Sequence, residues 1–148
     1  MIEDKLKVFV DNASHYFTYN LGDGVVVGSP YLINSMEELK GDYTGIISIS
    51  GAYNGTCCFI APSILLKSLL QLFGRCDTSE HMLFDAVGEV ANTLSGNARK
   101  ELGGDFIISV PIVIKGSPKD EFLQAKSRTY AIPITWNSCD ATLGVSLS

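Results

Sequence analysis

Apolar residues recur at spacings of three and four near the start of the chain. Leu6, Val10, Ala13 and Phe17 fall on one stripe, which predicts an amphipathic helix over residues 3–19. Leu21-Gly22-Asp23-Gly24 ends it with turn chemistry. The period then changes. Val25 to about Leu32 reads as a strand, and Met36 to Asp42 as a polar connection. Tyr43–Ser50 and Gly55–Ala61 read as two strands of a hairpin, joined through Gly51-Ala52-Tyr53-Asn54-Gly55.

Pro62-Ser63 opens a second helix with proline in the first turn. Ile64, Leu65, Leu69, Leu72 and Phe73 make it strongly apolar, and Gly74 stops it. After Arg75–Ser79 comes the longest helical pattern, Glu80 to Leu102, closed by Gly103-Gly104. Such a helix is roughly 34 Å long. Three β segments follow: Phe106–Lys115, about Ser127–Trp136, and Ala141–Ser148. Pro111 and Pro133 lie inside two of them. Proline has no ladder donor, so those strands should bend or lie at an edge. The order predicts one α+β domain over residues 1–148, a largely antiparallel sheet packed against a long helix.

Composition narrows the function. Charged residues make up 18% of the 148, against hydrophobic residues at 46%. With 11 Lys+Arg, 16 Asp+Glu and a net charge of -5, the chain is poorly suited to nucleic acid or an anionic membrane. The start, Met1-Ile2-Glu3-Asp4-Lys5-Leu6-Lys7, has no apolar core of a signal peptide, and no apolar run approaches the ~18 residues of a membrane span. A cytoplasmic protein is expected. Cys57, Cys58, Cys76 and Cys139 form no C-x-x-C pair and read as reduced core residues.

The long helix carries the chemistry. On a wheel, Leu83, Val87, Val90, Leu94 and Ala98 share one face, while Asp85, Glu89, Asn92, Gly96 and Arg99 share the opposite one. The plain reading of that second face is a solvated surface. Three features weigh against it. Asp85 and Glu89 are like charges at i,i+4. Asn92 is a poor helix former with no cap to make. Gly96 costs up to ~1 kcal/mol relative to Ala, and marks a place where something approaches the helix closely.

The spacing Asp85-x3-Glu89-x2-Asn92-x3-Gly96-Asn97 resembles the signature of the CheC/CheX/FliY family of chemotaxis phosphatases. Ile47-Ser48-Ile49-Ser50-Gly51-x3-Gly55 resembles that family's Gly-punctuated strand pair. Ser109-Val110-Pro111-Ile112-Val113-Ile114-Lys115-Gly116 resembles its Ser-x-Pro-x-x-x-x-Gly stretch. The likeness covers roughly residues 43 to 148. It implies hydrolysis of the aspartyl phosphate of a CheY-like receiver domain. Asn92 would orient the attacking water, and Glu89 would pair with the receiver's active-site lysine. Asp85, Gly96 and Arg99 would belong to the docking surface. The receiver would bring the Mg²⁺ and the phosphorylated Asp, so this chain needs no metal or cofactor of its own. Phosphoryl transfer asks mainly for positioning, which a carboxamide can supply. CheC-type members carry two such motifs and this chain has one, which points to the homodimeric CheX branch, with sheet edges or the first helix as interface.

Other readings fare worse. There is no Gly-x-Ser-x-Gly, and His15 and His81 read as structural or surface residues. No cluster has metal-ligand spacing. Gly22-x-Gly24 and Gly51-x3-Gly55 read as turns without a following helix, not phosphate loops. The strongest alternative is a non-enzymatic docking module, because the family shares its fold with the middle domain of the flagellar switch protein.

Overall fold

The computed structural model describes residues 2–119 and 128–147. Helix α1 is Ile2–Leu21, followed by strands β1 Val25–Val27 and β2 Tyr31–Ile33 and a 3-10 turn at Met36–Glu38. Then come β3 Tyr43–Gly51, β4 Gly55–Ala61, α2 Ser63–Leu72 and α3 Glu80–Leu102. The chain ends with β5 Phe106–Ile108, β6 Ile112–Lys115, β7 Thr129–Trp136 and β8 Cys139–Leu147. Of the predicted strand limits, Ser127 and Ser148 lie outside the described residues.

All eight strands form one sheet in the order β1-β7-β8-β4-β3-β5, with β2 also on β7 and β6 also on β3. Every pairing is antiparallel. The fold is the predicted α+β arrangement. Two segments read as continuous strands are instead broken, one at each edge. Between the pairs Ile49↔Ile108 and Ile46↔Ile112, the two residues Ile47 and Ser48 face three, Ser109, Val110 and Pro111. Between Val27↔Ile134 and Tyr31↔Ala131, the two residues Ile132 and Pro133 face Gly28, Ser29 and Pro30. Each edge therefore carries a one-residue bulge whose third residue is proline. That geometry ends ladder pairing and blunts the edge. Pro133 sits in an inner strand, but its carbonyl accepts from Gly28 N–H at 2.8 Å, so its donorless nitrogen faces the break.

The helices cover one face of the sheet. Leu6, Phe9, Ala13 and Phe17 of α1, Leu65, Leu66, Leu69 and Leu70 of α2, and the inner face of α3 pack on Tyr43, Ile47, Cys57, Phe59, Leu143 and Val145. Between Leu6 and Ala13 it is Phe9, not the predicted Val10, that is buried; Val10 is half-buried. On the other face a smaller cluster, Ile33, Met36 and Leu39, covers Ile46, Cys58, Ile60 and Ala131. Pro62 is the N-cap of α2, not its first turn, and has no side-chain cap bond. Asp42 Oδ2 supplies one by accepting from Ser63 N–H at 2.8 Å. Three cysteines are buried as expected, and burial pushes the Cys57 thiol up to about 11. Cys76 is exposed, contrary to the core reading, because it lies in the polar loop before α3, whose residues 75–77 are all exposed.

Candidate functional site

Helix α3 spans the predicted Glu80–Leu102. Its inner residues Leu83, Val87, Val90, Leu94 and Ala98 are all buried. The helix lies against β3 at Gly45, where a Cβ would stand 2.6 Å from the Val87 carbonyl oxygen. It lies against the bulged edge at Gly88, where a Cβ would stand 3.0 Å from Val113 Cγ1 and 3.6 Å from Pro111 Cγ. The Ser-x-Pro stretch is thus the bulge itself. Ser109 Oγ accepts from Ser48 N–H at 2.9 Å, and Pro111 at the end of the bulge and Val113 in the strand that follows lie against the helix.

Both ends of α3 are fastened to the same edge of the sheet. At the N-terminus, Glu80 accepts from Lys115 Nζ at 2.9 Å and from the Tyr43 hydroxyl at 3.1 Å. The Lys115 bond first, then Tyr43, holds the Glu80 carboxyl below its usual range. At the C-terminus, Arg99 Nε donates to the Phe106 carbonyl at 2.9 Å. Gly103 then turns the chain at φ 108°, a conformation open to glycine. A helix tied at both ends presents its outer residues in a fixed frame.

On the outer face Asp85, Glu89, Asn92 and Arg99 are exposed, and Gly96 is partly exposed. The structure therefore brings all five predicted site residues onto one surface. Their surroundings differ. Asp85 Oδ2 is 3.5 Å from His81 Nε2, one turn earlier on the exposed face. Glu89 accepts from Thr93 Oγ1 at 3.3 Å. Burial, and then the charge of Glu89, raise the Tyr16 phenol to about 12. Arg99 already has its Nε committed to its own chain. The Asn92 carboxamide makes no hydrogen bond with another described residue. A Cβ on Gly96 would meet nothing within 4 Å among the described residues, so no packing among them calls for its bare backbone.

Beside Glu89, a groove of about 900 Å³ opens between α3, α1 and α2, with Tyr16, Leu70, Phe73 and Met82 in its walls. The sequence reading missed Thr93, His81 and Tyr16. The first two were legible as i,i+4 partners of Glu89 and Asp85. Tyr16 arrives from another helix and left no local signal. Among the described residues, no group of three or more His, Cys, Asp or Glu is gathered to hold a metal. No helix among them is long and apolar enough to cross a membrane.

A single domain with an antiparallel sheet packed against helices is the fold of the CheC/CheX-like chemotaxis proteins. The chemotaxis phosphatase CheX family matches residues 43–135, and this chain belongs to that family. No curated protein matches the chain. Among solved structures, it is similar to chemotaxis protein CheX from Desulfovibrio desulfuricans, at 28% identity and TM-score 0.81, covering 98% of this chain and 99% of that one. A chemotactic CheC-like protein from Shewanella oneidensis MR-1 superposes at TM-score 0.84 and 19% identity over 100% of both chains. The CheX–CheY–BeF3–Mg²⁺ complex from Borrelia burgdorferi contains the same fold, at TM-score 0.76 and 18% identity over 96% of each chain.

Proposed function

We propose that this chain is a cytoplasmic phosphatase that docks the outer face of α3 on a phosphorylated CheY-like receiver domain and hydrolyses its aspartyl phosphate. Water attacks phosphorus, the bond from phosphorus to the aspartyl oxygen breaks, and inorganic phosphate and a free carboxylate result. Asn92 enters the receiver's site and orients the water, since its carboxamide offers a donor and an acceptor together. Glu89 pairs with the receiver's active-site lysine and anchors the complex. Asp85, Gly96 and Arg99 line the docking surface, and Gly96 admits the partner close to the helix backbone. The receiver brings the Mg²⁺. The working unit is a homodimer.

The observation that carries this reading is the contrast on one exposed face. Asn92 is unengaged within the described chain, while the helix that presents it is fastened at Glu80 and Arg99. Phosphoryl decay from a receiver of the same organism tests it. A hundredth of an equivalent of this chain should accelerate release of phosphate from the whole receiver pool. A docking module would leave the decay rate unchanged at that ratio, or slow it only at full occupancy.

A further inference from the structure

Glu89 differs from Asn92 in having neighbours of its own. Thr93, one turn C-terminal on α3, donates Oγ1–H to Glu89 Oε1 at 3.3 Å, long for such a bond and open to water. From α1, Tyr16 stands across the groove that Glu89 and Thr93 also line. Its ring is half-buried and set edge-on against Phe17, with centroids 5.0 Å apart at 90°, so its direction is constrained. The phenol keeps its proton well above neutral pH, because burial and the Glu89 charge both oppose ionisation. Tyr16 thus lines the groove with its phenol protonated.

We propose that Tyr16 and Thr93 are positioning residues that pre-set the Glu89 carboxylate for docking. The proposal rests on the reading of Glu89 as the receiver's anchor. An unrestrained glutamate has three free torsions, and their ordering opposes association. Asp85, the charge one turn before, repels Glu89 from that side, while Thr93 draws it toward the C-terminal side of the helix, where Asn92 lies. When the partner covers the groove, water leaves, the Thr93 bond shortens, and the Tyr16 hydroxyl, lining the same groove, takes up one of the carboxylate's remaining lone pairs. A restraint of this kind acts on association and leaves the phosphoryl step alone.

The test is decay of a receiver of the same organism, phosphorylated with acetyl phosphate, measured over a range of receiver concentrations. Thr93→Val and Tyr16→Phe should each raise KM by about 2–10-fold with kcat unchanged, the range of one modest hydrogen bond. Thr93→Ser, which keeps the hydroxyl, should restore the wild-type KM. In a Glu89→Gln background neither substitution should have a further effect. Independently, the Tyr16 phenol, followed by ¹³C-tyrosine NMR and assigned with Tyr16→Phe, should titrate at lower pH in Glu89→Gln than in wild type. A raised KM in Glu89→Gln, with wild-type KM in Thr93→Val and Tyr16→Phe, overturns this proposal alone. So do additive losses in the double variants, which signify action not routed through Glu89. Wild-type kinetics in Glu89→Gln itself overturn both this proposal and the functional reading.

Discussion

The two faces of α3 obey different constraints. On the inner face every side chain has an assigned place. Leu83, Val87, Val90, Leu94 and Ala98 are buried, and the sheet approaches so closely that position 45 has no room for a Cβ. On the outer face, one turn away, Asn92 is exposed and without a hydrogen-bond partner among the described residues, and Gly96 has open space above it. Folding explains the first set. It does not explain the second, since alanine or lysine at positions 92 and 96 would make a better helix. Residues that weaken an element while serving no packing role inside the chain point outward, to a partner.

Substitutions can break this contrast, beginning with the largest effect. Leu94→Ala should destabilise the protein by ~2–5 kcal/mol, through lost burial and the cavity left behind. Chemical denaturation measures it, and a change near zero would mean the inner face is not core. Gly45→Ala should cost about 1–3 kcal/mol, because its Cβ would press on the Val87 backbone carbonyl, which cannot rotate away. Gly96→Leu should do the reverse. Its stability should stay level or rise by up to ~1 kcal/mol from added helix propensity, read as an unchanged or higher melting temperature, while receiver association is lost. Unfolding of Gly96→Leu, or full activity in it, would erase the difference between the faces.

The smallest effect concerns the tether. Glu80 has a lowered carboxyl pKa in the fold, with the Lys115 hydrogen bond as the leading cause. Its contribution is therefore present above the ordinary carboxylate range, near ~4.3 in an unfolded chain, and is lost as pH falls through the lower folded value. The melting temperature of Glu80→Gln should fall less than that of wild type across this acid range. The effect should be small because the pair is half-exposed. Identical acid profiles would remove Glu80 from the tether.

Much of this organisation was legible in the sequence. The limits of α3 could be read because the polar link Arg75–Ser79 and the pair Gly103-Gly104 bracket one unbroken helical pattern. The partition of its two faces follows from helical period alone. The hairpin β3–β4 likewise declared itself through its turn. The breaks at Gly28–Pro30 and Ser109–Pro111 could not be read in the same way. A bulge is a relation between two strands, and Pro111 looks the same in a bent strand as in a bulge. Tyr16 was hidden for a similar reason, since its closeness to Glu89 depends on how α1 packs across α3. The exposure of Ile64 and Leu72 on α2, and of Phe73 just past its end, was also not legible. A strongly apolar helix shows that some of its residues are buried, without showing which neighbour is missing.

The central claim is that Asn92 acts on the phosphoryl group and on nothing in its own chain. The direct test is Asn92→Ala, with phosphoryl decay from the receiver, binding of a beryllofluoride-treated receiver and thermal melting all measured on one preparation. The account predicts loss of most of the accelerated decay, with binding and melting temperature close to wild type, the mark of an interaction made only in the transition state. Wild-type decay in Asn92→Ala would contradict it, as would a loss of activity that merely tracks a fall in melting temperature.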